Sequence, residues 1–135
     1  MTIKELNNKF LDSVGYTLFF EWLGGKIVIR EHLEEAVQDI IRLELDCELR
    51  TLKKIEKYKL PVHPIQYKKK ANVYLYSYLY MLETRKWIHQ IYSHNELWKA
   101  APSCLRKEYK SIPKRLHMEF KKVYTKPRSL KKLAN

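Results

Sequence analysis

Residues Tyr67 to Tyr92 read YKKKANVYLYSYLYMLETRKWIHQIY, and how this stretch folds decides the architecture. Three lysines, Lys68, Lys69 and Lys70, precede a run in which Tyr74, Tyr76, Tyr78 and Tyr80 stand among Val73, Leu75, Leu79, Met81 and Leu82. Wound as a helix, the run puts Leu75, Tyr78, Leu79 and Leu82 on one side, while Tyr76, Tyr80 and Trp87 spread over others. Apolar bulk then reaches nearly all the way round, the pattern of a helix buried against several neighbours. The same residues also alternate strictly, Val73, Leu75, Ser77, Leu79 and Met81 against the four tyrosines, which is the period of a strand. Flanks and length decide for helix. Lys68 to Ala71 and Leu82 to Gln90 are rich in helix formers and lack Gly and Pro, and the run is too long for an ordinary strand. The expectation is a helix over about 66–92.

Immediately upstream, Leu60-Pro61-Val62-His63-Pro64-Ile65 reads as an extended connector, because each proline pushes its predecessor out of helical geometry. His63, between the prolines, reads as exposed. Before the connector, a helix is expected over about 29–58, with Leu33, Val37, Ile40, Glu44 and Cys47 along one line and Ile41, Leu45, Leu49, Leu52 and Ile55 along another. Two adjoining stripes make the wide apolar face of a bundle helix. Lys26 to Arg30 (KIVIR) is β-branched and short, either a stray strand or the lead-in to that helix. At the start, Thr2-Ile3-Lys4-Glu5 has the form of a capping box before Ile3, Leu6, Phe10, Val14 and Leu18 at helical spacing, with Trp22 one turn on. Gly15 weakens that helix by about 1 kcal/mol relative to Ala. Gly24-Gly25 stops it, since a left-handed residue past a helix end usually needs glycine. Phe19, Phe20 and Trp22 read as a hydrophobic anchor.

Downstream, Ser93-His94-Asn95-Glu96 repeats the capping-box pattern before Leu97-Trp98-Lys99-Ala100-Ala101, and Pro102 closes that piece. Ser103 can cap a further turn or two through Tyr109. Ser111-Ile112-Pro113 opens a last helix with Leu116, Phe120 and Val123 on one side. The expected fold is therefore all-α, a single-domain bundle of five to six helices. Its 1–60 half is acidic-faced, its 61–124 half is basic and rich in aromatics, and a loosely held basic tail covers 125–135.

Composition bounds the class. With 135 residues, 45% of them hydrophobic and 13% aromatic, the chain is large and apolar enough to bury a core without disulfide or metal. Cys47 and Cys104 lack any CxxC spacing and read as reduced thiols. The polar N-terminus has no apolar signal core, and no stretch nears eighteen uninterrupted apolar residues, so an intracellular protein without a membrane span is expected.

Charge is the strongest functional signal. The net of +12 divides unevenly: residues 1–56 hold eight Lys/Arg against eleven Asp/Glu, while 57–135 hold nineteen against four, a net of +15. Such polarity points to a polyanion or an acidic partner for the second half. Lys68, Lys69, Lys70, Arg85, Lys86, Arg106, Lys107, Lys110, Lys114, Arg115, Lys121 and Lys122 mark successive turns there, interleaved with residues that must face inward. Cations of this kind neutralise phosphates largely without regard to base sequence, and surface Tyr or Trp can stack on unpaired bases.

Other chemistries find no support in the sequence. There is no glycine-rich phosphate loop and no HExxH. Glu31/Glu35 and Glu44/Glu48 have i, i+4 spacing, but a carboxylate metal bundle also needs Glu-x-x-His elements on facing helices. The acids between Glu31 and Glu56 read as a solvated face, or one paired with the chain's own basic half. His89, His94 and Glu96 make only a weak metal constellation. No metal, cofactor or catalytic set is expected, and no signature of helix-turn-helix, RRM, KH or zinc-finger modules occurs. The sequence thus favours a nucleic-acid-binding subunit of a coat or ribonucleoprotein assembly, with contacts between acidic and basic faces of copies. The alternative is an inhibitor or adaptor that sets its basic face on an acidic or nucleic-acid-binding surface of a larger machine.

Overall fold

The structure, a computed structural model, describes residues 15–124. The Thr2–Glu5 capping box, the helix positions Ile3, Leu6, Phe10 and Val14, and the tail after Tyr124 lie outside the described residues. Residues 15–23 are helical (α1). Then come α2 (Arg30–Lys57), α3 (Pro64–Thr84), a 3-10 turn (Ile91–Ser93), α4 (Asn95–Ala100) and α5 (Lys114–Tyr124), with no strand among the described residues. The all-α expectation holds.

The paired glycines end α1 as expected. Gly25 takes φ 111°, and the amides of Gly24, Gly25 and Lys26 bond back to the carbonyls of Phe20, Trp22 and Glu21, each at 3.0 Å. The KIVIR segment is the extended lead-in to α2 and forms no strand. Along α2 the first line packs at Leu33, Val37 and Ile40, with Glu44 half-buried and Cys47 exposed. The second packs at Ile41 and Ile55, with Leu45 and Leu52 half-buried and Leu49 exposed. At 1.5 Å per residue α2 runs about 42 Å and α3 about 31 Å, and Tyr67 of α3 meets Glu48 of α2.

α3 is the hub, touching α2, α4 and α5. Its buried positions include Ala71, Val73, Leu75, Tyr76, Tyr78, Leu79, Tyr80 and Met81, which covers every side of the helix. His63 is exposed, and it caps α3: its Nδ1 accepts the Gln66 amide at 3.3 Å, with Pro64 in the first turn. The helix stops at Thr84, short of the expected 92, because Arg85 turns left-handed at φ 54° while its amide bonds the Met81 carbonyl at 2.7 Å. Trp87 thus leaves the helix.

Two local expectations fail. The Ser93–Glu96 capping box does not form, and Asn95 instead accepts the Trp98 indole proton at 3.2 Å. Residues 101–113 form no helix at all. α5 closes the core with Leu116 and Phe120, both fully buried, and Phe120 stacks on Tyr80 at 5.1 Å. No helix of the described residues is long and apolar enough to cross a membrane.

Candidate nucleic-acid interface

A buried amide positions the first group of cations. Asn72 sits on α3 with no exposed surface, one turn beyond Lys68, Lys69 and Lys70. Its side-chain NH2 donates to the carbonyls of Pro102 at 2.9 Å and Cys104 at 2.8 Å, while its oxygen accepts the Tyr109 hydroxyl at 2.5 Å. That hydroxyl accepts the Arg106 amide at 3.0 Å, and Gln38 of α2 donates to the Tyr109 carbonyl at 2.9 Å. One asparagine therefore holds the 101–113 loop, which carries Arg106, Lys107 and Lys110, against the lysine-rich end of α3. Unpaired buried carbonyls are costly, which explains why this loop stays irregular yet fixed. Burial pushes the Tyr109 phenol up to about 12. Burial also raises the Tyr76 phenol, and the Arg106 guanidinium opposes it. Lys70 lies over the Trp98 ring at 5.7 Å, which brings α4 into the same group.

A second group forms at the other end of α3, about 18 Å away by helical rise over the twelve residues from Asn72 to Thr84. Here the segment 85–90 is bracketed by two left-handed non-glycine residues, Arg85 at φ 54° and Gln90 at φ 53°. Such conformations cost roughly 1–2 kcal/mol each and persist only where surroundings fix them. Arg85 supplies the fixing at one side: its guanidinium donates to the carbonyls of Trp22 and Lys26, both at 2.9 Å, and lies 5.0 Å over the Trp22 ring. At the other side Tyr124 of α5 donates to the His89 carbonyl at 2.9 Å. Ile88 turns into the core, and Lys86, Trp87 and His89 turn outward.

Compared with known protein families, with curated proteins and with solved structures, the chain matches none.

The sequence-derived cations thus fall into two groups joined by α5, and Arg85 differs from the rest in holding backbone carbonyls. Lys68, Lys69 and Lys70 are half-buried, while Lys86, Arg106, Lys107, Lys110, Lys114, Arg115, Lys121 and Lys122 are exposed. Lys110 pairs with Glu108 and Lys122 with Glu119, each at 3.3 Å on the surface. Lys68, Lys69, Lys86, Lys107, Lys114 and Arg115 make no ion pair among the described residues.

The acids of α2 find partners on α2 and in tyrosines. Arg30–Glu34, Arg42–Asp39 and Arg50–Asp46 pair along α2 itself. Glu44 and Glu48 take neutral partners: Tyr16 of α1 donates to Glu44 at 2.5 Å, and Tyr67 of α3 donates to Glu48. Burial first, then the Glu48 bond, pushes the Tyr67 phenol up to about 12. These carboxylates pin α1 and α3 to α2, a use that i, i+4 spacing alone does not reveal. No group of three or more His, Cys, Asp or Glu is placed to hold a metal ion among the described residues.

Proposed function

We propose that this chain binds nucleic acid chiefly through its phosphates, as a structural or accessory subunit of a nucleoprotein assembly. The observation that carries the reading is the segregated charge, a net of +15 over residues 57–135. Of the candidate cations, Lys86, Arg106, Lys107, Lys110, Lys114, Arg115, Lys121 and Lys122 stand exposed, and Lys68, Lys69, Lys86, Lys107, Lys114 and Arg115 make no ion pair among the described residues. Phosphate neutralisation asks for a rigid display of cations, not for a pocket or a catalytic group. Two exposed thiols, Cys47 and Cys104, suit a reducing, intracellular setting.

The test is an electrophoretic shift with single- and double-stranded DNA and RNA over a salt series. Affinity falls steeply with salt, with a slope of about 0.9 per phosphate contact on duplex. Exchanging Lys114, Arg115, Lys121 and Lys122 together for glutamine weakens binding to all sequences alike and flattens that slope. If no nucleic acid is shifted at about 50 mM salt, where electrostatic contacts are strong, the reading fails and an acidic protein surface takes its place as partner.

The same charge pattern supports contacts between copies. Three acids of α2 pair along that helix with Arg30, Arg42 and Arg50, while Glu31 and Glu35 are exposed and offer an acidic face to a second molecule.

A further inference from the structure

Trp87 is half-exposed at 50% and Phe20 at 42%, and their rings meet at 5.5 Å with an interplanar angle of 49°. The core does not need either ring there. Ile88 fills the inward position of the segment, at 5% exposure, and Phe19, fully buried, does so for α1. The backbone on both sides of Trp87 is left-handed at non-glycine residues, so the chain is held out of helix at just the point that displays this side chain. Arg85 locks the display from one side through the Trp22 and Lys26 carbonyls, and Tyr124 locks it from the other through the His89 carbonyl. Lys86, next to Trp87 in the chain, is exposed, while Arg85 is turned to the Trp22 and Lys26 carbonyls and Lys26 pairs with Glu21, the chain neighbour of Phe20, at 3.3 Å.

Resting on the nucleic-acid reading above, we propose that Phe20 and Trp87 form a stacking platform for an unpaired base, making single-stranded nucleic acid the preferred ligand. Every base offers a π-face, so such a platform is tolerant of sequence. A duplex hides those faces and reaches only the cations. An exposed aromatic pair with the exposed Lys86 next to Trp87 in the chain suits a base with its phosphates better than it suits a neutral apolar partner. Lys70 and the end of α3 at Thr84 lie about 21 Å apart by helical rise, a spacing for a strand of about six nucleotides at 3.4 Å rise.

The experiment uses the full chain with a labelled twenty-nucleotide single strand and the matching duplex, read by fluorescence anisotropy at about 100 mM salt. Trp87→Ala weakens single-strand binding about tenfold, the usual cost of removing one stacking ring. It leaves duplex affinity within about twofold and the salt slope unchanged, since no phosphate contact is lost. Trp87→Phe restores most of the loss. Circular dichroism checks that both variants keep the wild-type helix content. Equal loss on both ligands, or no loss on the single strand, overturns the platform. Wild-type binding to duplex alone also overturns it but leaves the phosphate reading standing, whereas binding to neither ligand removes both. If Trp87→Ala instead abolishes adsorption to anionic lipid vesicles with single-strand binding intact, the aromatic pair serves a membrane surface and the proposal is wrong.

Discussion

Tyr109 donates its hydroxyl proton to the side-chain oxygen of Asn72 at 2.5 Å, across thirty-seven residues, and both side chains are buried. Because the same asparagine holds the Pro102 and Cys104 carbonyls, the basic loop and α3 are one mechanical unit.

Removing either partner strands buried polar groups. Asn72→Ala leaves two carbonyls and a hydroxyl without partners and costs about 3 kcal/mol. Tyr109→Phe, which strands the Asn72 oxygen and the Arg106 amide, costs about 1.5 kcal/mol. The double variant loses less than the sum, since Asn72→Ala already removes the acceptor of Tyr109. Urea midpoints at unchanged slope measure all three. Strict additivity shows that the groups do not act together.

Arg85 behaves differently from the other basic residues. Arg85→Lys keeps the charge but loses the planar fork that reaches two carbonyls, and it destabilises the fold by about 1–2 kcal/mol. Glutamine at Lys114, Arg115, Lys121 and Lys122, all exposed, shifts stability by less than about 0.5 kcal/mol. Urea denaturation of both variants separates a residue that holds the chain from residues that face a ligand. Equal stability of Arg85→Lys and wild type overturns the assignment.

Periodicity made α2 and α3 legible, because Leu33, Val37 and Ile40, and Leu75 and Leu79, recur at the spacing their burial demands. Asn72 was not legible. Within an apolar run a lone amide carries no period, and its partners lie thirty or more residues away. The same distance hid the end of α3, where good helix formers continue past Thr84 and only the carbonyls of Trp22 and Lys26 make a left-handed Arg85 tenable. The expected turn through Tyr109 is absent for a related reason. Asn72 takes the Pro102 and Cys104 carbonyls in its place. Among the cations, the sequence showed where charge accumulates but not that Arg85 turns inward to backbone.

Alkali loosens the fold. Burial holds Tyr78 well above the ordinary phenol range, aided by its bond to Tyr74, and pushes Tyr109 up to about 12. In the unfolded chain both ionise near 10. Raised folded values mean that the native state keeps protons the unfolded state gives up, so stability is full below about pH 10 and falls as pH climbs toward 12. Far-UV circular dichroism followed with tyrosinate absorbance should show helix loss coinciding with ionisation of the late-titrating phenols. A single early ionisation wave with helix intact contradicts their burial.

The last expectation concerns copies of the chain. Glu31, Glu34, Glu35 and Asp39, with Gln38 and Arg42, line an open recess of about 550 Å³ on α2, on the face that Gln38 ties to the basic loop. Exposed cations of a second molecule are the natural complement, and because the two surfaces differ, a contact between them would be head-to-tail, the kind that builds rings or filaments. Such attraction is strong where the screening length is about 30 Å, near 0.01 M salt, and weak where it is about 8 Å, near 0.15 M. Sedimentation without nucleic acid should therefore show association at low salt that high salt dissolves. Glu31→Gln, Glu34→Gln and Glu35→Gln together suppress it without weakening nucleic-acid binding, because they remove only negative charge. A monomer at both salt concentrations ends the head-to-tail assembly and does not touch phosphate binding, which draws on the opposite half of the chain.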